Sequence, residues 1–219
     1  MSRSTKVLWP QRDVIAGHPA LDFLNTVDDP GRSRRHNRLR DWPALMAWFE
    51  ASGVLSRAWR ELFETGESAD RHARILHDIL TLQQLFYEHV QAHVNGTPQV
   101  RLGDALNARL SQALGRAHLG QSGECMESGE YMESGKCMES GKCMEWRVAS
   151  MSPSRWEDAI ALEIEAFLRT HALDQVRQCD GCSWFFIDHG HGRRWCRPHV
   201  CGKRHLRKRK RASSTRLKP

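Results

Sequence analysis

Four cysteines near the end of the chain constrain this sequence more than any other feature. Cys179 and Cys182 are separated by two residues, Cys196 follows after 13 more, and Cys201 after another four. Two thiolates so close in sequence form a metal-binding knuckle. A second pair at this separation closes the tetrahedron that Zn²⁺ prefers, at a Zn–S distance of about 2.3 Å. A site with four protein ligands has no open position, so it stabilises a small fold and does no hydrolytic chemistry. His199 follows Cys196 by three positions, and His189, His191 and His205 are near, so a Cys3His set is the alternative. The two complete cysteine pairs favour four thiolates.

Between the pairs, the strand formers of Ser183-Trp184-Phe185-Phe186-Ile187-Asp188 lead to a turn, His189-Gly190-His191-Gly192, and then to Arg193-Arg194-Trp195-Cys196. This pattern predicts a zinc-bound β-hairpin. For so small a unit, metal binding is folding free energy, on the order of 10 kcal/mol or more in isolated fingers.

Charge is placed unevenly around this site. The last 31 residues hold 12 of the 33 Lys and Arg and none of the 26 Asp and Glu, which leaves the first 188 residues with 21 basic against 26 acidic groups. A basic end on an acidic body points to a polyanion partner for the end alone; a solvated, disordered terminus is the plainer account. Past Cys201 the sequence Gly202-Lys203-Arg204-His205-Leu206-Arg207-Lys208-Arg209-Lys210-Arg211 contains no proline and is compatible with a helix. Such a helix fits the major groove of duplex DNA, with Arg193, Arg194, Lys203, Arg204, Arg207, Lys208, Arg209, Lys210 and Arg211 as candidate contacts. Two other readings use the same residues. In an RNA-binding or RNA-processing factor Trp184, Phe185 and Trp195 would stack on bases; in a protein-interaction module the finger itself is the contact surface. If Trp184 and Phe186 are buried against the knuckle, they are core rather than stacking platforms.

The rest of the chain is predicted to be mainly α: a helical N-terminal domain with a small β-hairpin, followed by the small C-terminal zinc-binding β-hairpin/helix module. At 219 residues and 40% hydrophobic composition it has enough apolar surface for a real core. Asp41-Trp42-Pro43 starts a helix that stops near Gly53. Ala58, Trp59 and Leu62 suggest a short one, and helical spacing runs from Ile75 to Val94 and again from Leu102 to Leu114. Trp156, Ile160, Ile164, Phe167 and Leu168 mark a last amphipathic helix whose Glu157, Asp158, Glu163 and Glu165 are expected on its solvated side. Near the start, Asp22 and Asn25 share a face within an apolar turn. Polar groups placed so need partners, either in a neighbouring loop or in a ligand.

Residues 122–145 are four copies of the hexapeptide Ser-Gly-Glu/Lys-Cys/Tyr-Met-Glu. Their composition cannot bury a core, so they read as a flexible insertion in a tolerant loop, with Trp146-Arg147-Val148 as the returning strand of a hairpin. Cys125, Cys137 and Cys143 lie at spacings that match no metal site. The expected division is thus residues 1–175 for the helical domain, with 122–145 inserted, 176–211 for the zinc module, and 212–219 as a disordered tail.

The motifs Cys179-x-x-Cys182, Trp184-Phe185-Phe186-Ile187-Asp188, Arg193-Arg194-Trp195-Cys196 and Cys201-Gly202-Lys203-Arg204 closely resemble the CGNR-type zinc finger. This finger occurs in bacterial proteins described as stress-induced transcription regulators. In that family it follows a mostly helical domain, ABATE, with a motif similar to Leu21-Asp22-Phe23-Leu24-Asn25-Thr26. The resemblance implies DNA-binding regulation, with a body that senses a signal or forms a homodimer. Lys203 stands where the name-giving motif has asparagine, and the hexapeptide insertion is not part of the family pattern.

No run approaches the roughly 20 apolar residues of a membrane span, and no leader-like segment opens the chain, so a soluble, cytoplasmic protein is expected. Nor does the sequence hold a phosphate loop, a nucleophile motif or a framed carboxylate pair, so no enzyme is expected. His72, His77, His89 and His93 lie along one helix. His89 and His93 are four apart, but no third ligand accompanies them, and surface histidines are the simpler account.

Overall fold

The computed structural model describes residues 9, 13–27, 33–55, 68–97, 101–121, 144–149, 152–170 and 173–207. The proposed short helix at Ala58–Leu62, most of the hexapeptide segment, Lys208 to Arg211 and the tail 212–219 lie outside them.

Five helices make the body among the described residues. Helix α1 (Pro19–Leu24) is short and buried nearly all round. Its first turn is closed by His18, whose Nδ1 accepts from the Ala20 N–H at 3.1 Å, and by Pro19, which needs no donor partner there. Helix α2 (Trp42–Ser52) starts where Asp41 Oδ1 accepts from the Ala44 N–H at 2.9 Å. Helix α3 (Ala69–Val94) begins at the Ser68 cap and turns Ile75, Ile79, Leu82, Phe86 and Val90 inward at helical spacing. Helix α4 (Asp104–Arg116) contributes Leu106, Leu110 and Ala113. Helix α5 (Arg155–Thr170) packs against α1, α3 and α4 together. The core they enclose is rich in rings: Trp48, Trp156, Phe23, Phe49, Phe86 and Phe167 are all buried. Trp156 meets Trp42 edge-on at 5.0 Å, and Phe86 meets Phe167 at 5.9 Å.

Its central place gives α5 little solvated surface, and this overturns the expectation for two of its four acidic residues, while Glu163 and Glu165 stay partly exposed. Glu157 and Asp158 are 5% and 1% exposed. Asp158 is matched by a two-pronged bond from Arg116, at 2.8 and 2.6 Å, and by the Ser152 hydroxyl at 3.1 Å. Burial pushes the Glu157 carboxyl above its ordinary range. The amphipathic pattern missed both because neighbouring helices cover the first turn of α5: Arg116, at the end of α4, reaches Asp158, and Glu157 lies near Arg109 of α4 and Asp78 of α3.

Strands β1 (His118–Gln121) and β2 (Met144–Arg147) form an antiparallel hairpin, with Leu119 opposite Trp146 and Gln121 opposite Met144. The return strand thus begins inside the fourth hexapeptide, whose Met144 and Glu145 belong to the hairpin. Strands β3 (Val176–Gln178) and β4 (Phe185–Ile187) form a second one. This corrects the expected zinc hairpin: β4 pairs with the segment before the cysteines, not with Arg193–Cys196. The Cys179–Cys182 knuckle is itself the turn, tied by Cys179 N–H to the Trp184 carbonyl at 2.8 Å.

Two outcomes follow from this arrangement. Arg116→Ala, which leaves a buried carboxylate with only the Ser152 hydroxyl as side-chain partner, lowers stability by about 3 kcal/mol in urea titration; a loss below about 0.5 kcal/mol would show that the Arg116 fork does not hold α4 to α5. Replacing residues 122–143 by an Asn-Gly turn leaves the melting temperature within about 2 °C, and a larger fall would mean that the repeats pack on the body.

Candidate metal centre and basic face

The β3–β4 turn supplies Cys179 and Cys182. Cys196 follows the His189–Gly192 loop, and Cys201 lies in a single wide helical turn, Pro198–Gly202. All four are buried, and their sulfurs lie within 4.8 Å of one another. The Sγ separations Cys182–Cys196, Cys196–Cys201 and Cys182–Cys201 are 3.5, 3.6 and 3.8 Å. A tetrahedron with Zn–S bonds of about 2.3 Å has edges of about 3.8 Å, so the donor set fits zinc in both number and size. Among the described residues no histidine joins the cluster, and His199 is exposed.

Cys179, Cys182 and Cys196, packed this closely, cannot all ionise by themselves. S–H donation from Cys182 and then from Cys196 holds Cys179 well below the ordinary thiol range. The same contact with Cys179 pushes Cys182 up to about 12 and Cys196 upward as well. A divalent cation reverses this repulsion and takes all four as thiolates. The closeness also explains a glycine: a Cβ at Gly181 would lie 2.9 Å from the Cβ of Cys201. Its N–H donates to Cys179 Sγ at 3.3 Å.

Strand β4 is buried on both faces. Trp184 and Phe186 pack with the four cysteines, Ile15, Trp195 and Val200, while Phe185 and Ile187 pack into the helical core. Trp184, Phe185 and Phe186 are therefore core residues, and Trp195 is half-buried.

Asp22 and Asn25 both serve this junction. Asp22 Oδ1 accepts from the N–H groups of Ile15 and Ala16, at 2.9 and 3.0 Å. Burial pushes its carboxyl up to about 7 even though these two bonds pull the other way. The Asn25 amide donates to the Phe185 carbonyl and accepts from the Phe185 N–H, each at 2.8 Å and across 160 residues of sequence. Beside it, Ile187 N–H donates to the Ala16 carbonyl at 2.9 Å, and Trp184 Nε1 donates to the Val27 carbonyl at 2.8 Å. Gly17 fits here with φ +92°, a conformation that side chains disfavour, and a Cβ there would lie 3.3 Å from Ile187 Cδ1.

The basic residues divide into two groups. Arg193 donates to the carbonyls of Trp195, at 3.0 Å, and Cys196, and lies over the Phe186 ring. Arg197, which spacing did not single out, reaches Asp13 at 2.8 Å and lies over Trp184; the other oxygen of Asp13 takes Arg38 at 2.8 Å. These two arginines serve the fold. Arg194 is 61% exposed beside Asp180, Lys203 and Arg207 are exposed on helical backbone over 203–207, and Arg204 is half-buried. His89 is buried and His93 bonds Asp174 at 2.8 Å, so neither is a plain surface histidine.

Comparison with known families agrees with both halves of the geometry. Residues 17–132, just over half of the chain, match the ABATE family, described as "Putative stress-induced transcription regulator", and residues 175–213 match the CGNR zinc finger. The chain belongs to the ABATE family. No curated protein matches it. No helix among the described residues is long and apolar enough to cross a membrane.

Single Cys→Ser changes at 179, 182, 196 or 201 release zinc, measured by metal analysis after dialysis. Gly181→Ala, which removes no ligand, weakens zinc retention about tenfold against a competing chelator. Full zinc occupancy in Cys196→Ser would transfer the fourth ligand to His199.

Proposed function

We propose that this ABATE-family chain is a zinc-containing transcription regulator, acting in the bacterial cytoplasm, that holds duplex DNA through the basic helix leaving its metal centre. The observation that carries this reading is the position of that helix. Cys201 ties its first turn to the zinc site, and Lys203 and Arg207 follow on exposed, helical backbone at the head of a run of seven Lys and Arg between 203 and 211. A fixed helix end presenting cations is a form that the major groove accepts. The role is binding rather than catalysis, and the helical body senses a signal or joins two copies.

Burial of Trp184 and Phe185 favours duplex DNA over single-stranded RNA, because these rings have no free face for a base. Arg194, Lys203, Arg204 and Arg207 remain as the contacts closest to the zinc scaffold. Arg193 stays with the scaffold itself.

Affinity for duplex DNA, followed by fluorescence anisotropy, falls steeply with salt. If about five phosphates are neutralised, the slope of log K against log salt is about −4 to −5. Replacing Arg207, Arg209 and Arg211 by alanine weakens binding to all sequences alike and flattens the slope, whereas Arg194→Ala or Arg204→Ala changes sequence preference. If single-stranded RNA binds far more tightly at matched salt and Trp195→Ala abolishes that binding with zinc retained, the RNA-binding reading replaces this one.

A further inference from the structure

The cysteine knuckle and the helical body meet mainly along the short strand β4, with Trp184 just before it. On one side the knuckle is tied to that strand by Cys179 N–H and the Trp184 carbonyl, with Trp184 and Phe186 packed among the cysteines. On the other, Asn25 occupies both polar groups of Phe185, the Ala16 carbonyl takes the Ile187 N–H, and Asp13 bridges Arg197 to Arg38. Asp22 fixes the same segment by accepting from Ile15 and Ala16. We infer that zinc occupancy of the finger sets the conformation of residues 13–17 and of α1 in the helical body, with Asn25 as the positioning residue that couples the two. The inference does not depend on what the basic face binds.

The physical reason is that Asn25 cannot keep its partners unless β4 keeps its place. The metal fixes both ends of the knuckle turn, and the turn fixes the start of β4. If that strand shifts, the Asn25 amide and the Phe185 peptide are left as four polar atoms in a buried site, each costly to leave without a partner. The body then relaxes with the strand, and segment 13–17, which bonds to β4 directly, relaxes first. Coupling of this kind is reciprocal: a change at Asn25 must alter the affinity for zinc by as much as zinc alters the stability of the Asn25 contacts.

Two measurements on the full chain test this. Hydrogen exchange with and without a zinc chelator is expected to show the amides of Ile15, Ala16 and Ile187 exchanging more than tenfold faster without metal, while those of α4 keep their protection. Exchange confined to residues 173–207, or rising equally in α4, would overturn the route. Zinc affinity by chelator competition is expected to fall roughly 10-fold to 30-fold in Asn25→Ala. Asp41→Ala is the control. It removes the side chain that caps α2 by accepting from the Ala44 N–H, which takes no part in the contacts to β4, and it leaves zinc affinity within about twofold. Equal effects of the two changes, or none from Asn25→Ala, would show that metal binding is indifferent to the body.

Discussion

The side-chain amide of Asn25 joins the two halves of this chain at the middle of their contact. A strand edge presents a peptide N–H and a carbonyl that must be satisfied when buried, and the side chain of Asn25 offers one donor and one acceptor in the same arrangement as a peptide group. At Phe185 it replaces the neighbouring strand that the two-stranded sheet lacks. Leucine would fill the space and leave both groups unpaired, and aspartate would set a charge against the carbonyl. The rest of the junction is built on this pairing: Ala16 continues it two residues further along β4, and Asp22 holds Ala16 in place. A zinc finger in such a setting is a corner of the helical core rather than an appendage.

Much of this was legible in the residues. The cysteine spacing announced the metal centre because two close pairs supply the four donors that a tetrahedral ion takes, and the helices α2 to α5 announced themselves by apolar spacing and end signals. The motif around Asp22 and Asn25 could be seen to need partners but not to name them, because the partners are backbone groups at Ile15, Ala16 and Phe185, which carry no mark in a sequence. The zinc hairpin was misplaced for a related reason. Arg193 to Cys196 has the composition of a strand, yet Gln178 to Val176 take that place, since the knuckle already turns the chain back on them. Glu157 and Asp158 read as solvent-facing because periodicity describes one helix at a time, and what buries them is another.

The tail's charges also needed geometry to be sorted. By count, Arg193, Arg194 and Arg197 are equivalent cations in one stretch. In place, Arg193 closes the backbone around Cys196 and Arg197 shares Asp13 with Arg38, which leaves Arg194 as the one of the three facing water. Guanidinium suits the first two roles because its rigid fork can bond a carbonyl or carboxylate while its plane lies on a ring. Both cations also sit beside a cluster that carries two net negative charges once four thiolates bind Zn²⁺. A basic segment next to such a centre therefore has structural work as well as any work on a polyanion.

The hairpin of β1 and β2 has a consequence of a different kind. Because Gln121 faces Met144, the segment joining them begins and ends at neighbouring points, whatever its length. Closing a segment one hexapeptide longer across those two points costs about 0.2 kcal/mol in chain entropy. Each unit consists of whole codons, so a copy gained or lost by slippage during replication keeps the reading frame. In genetic terms the hairpin is a place where a change in repeat number costs little in loop closure, and the repeat number in this chain need not be the one its relatives carry.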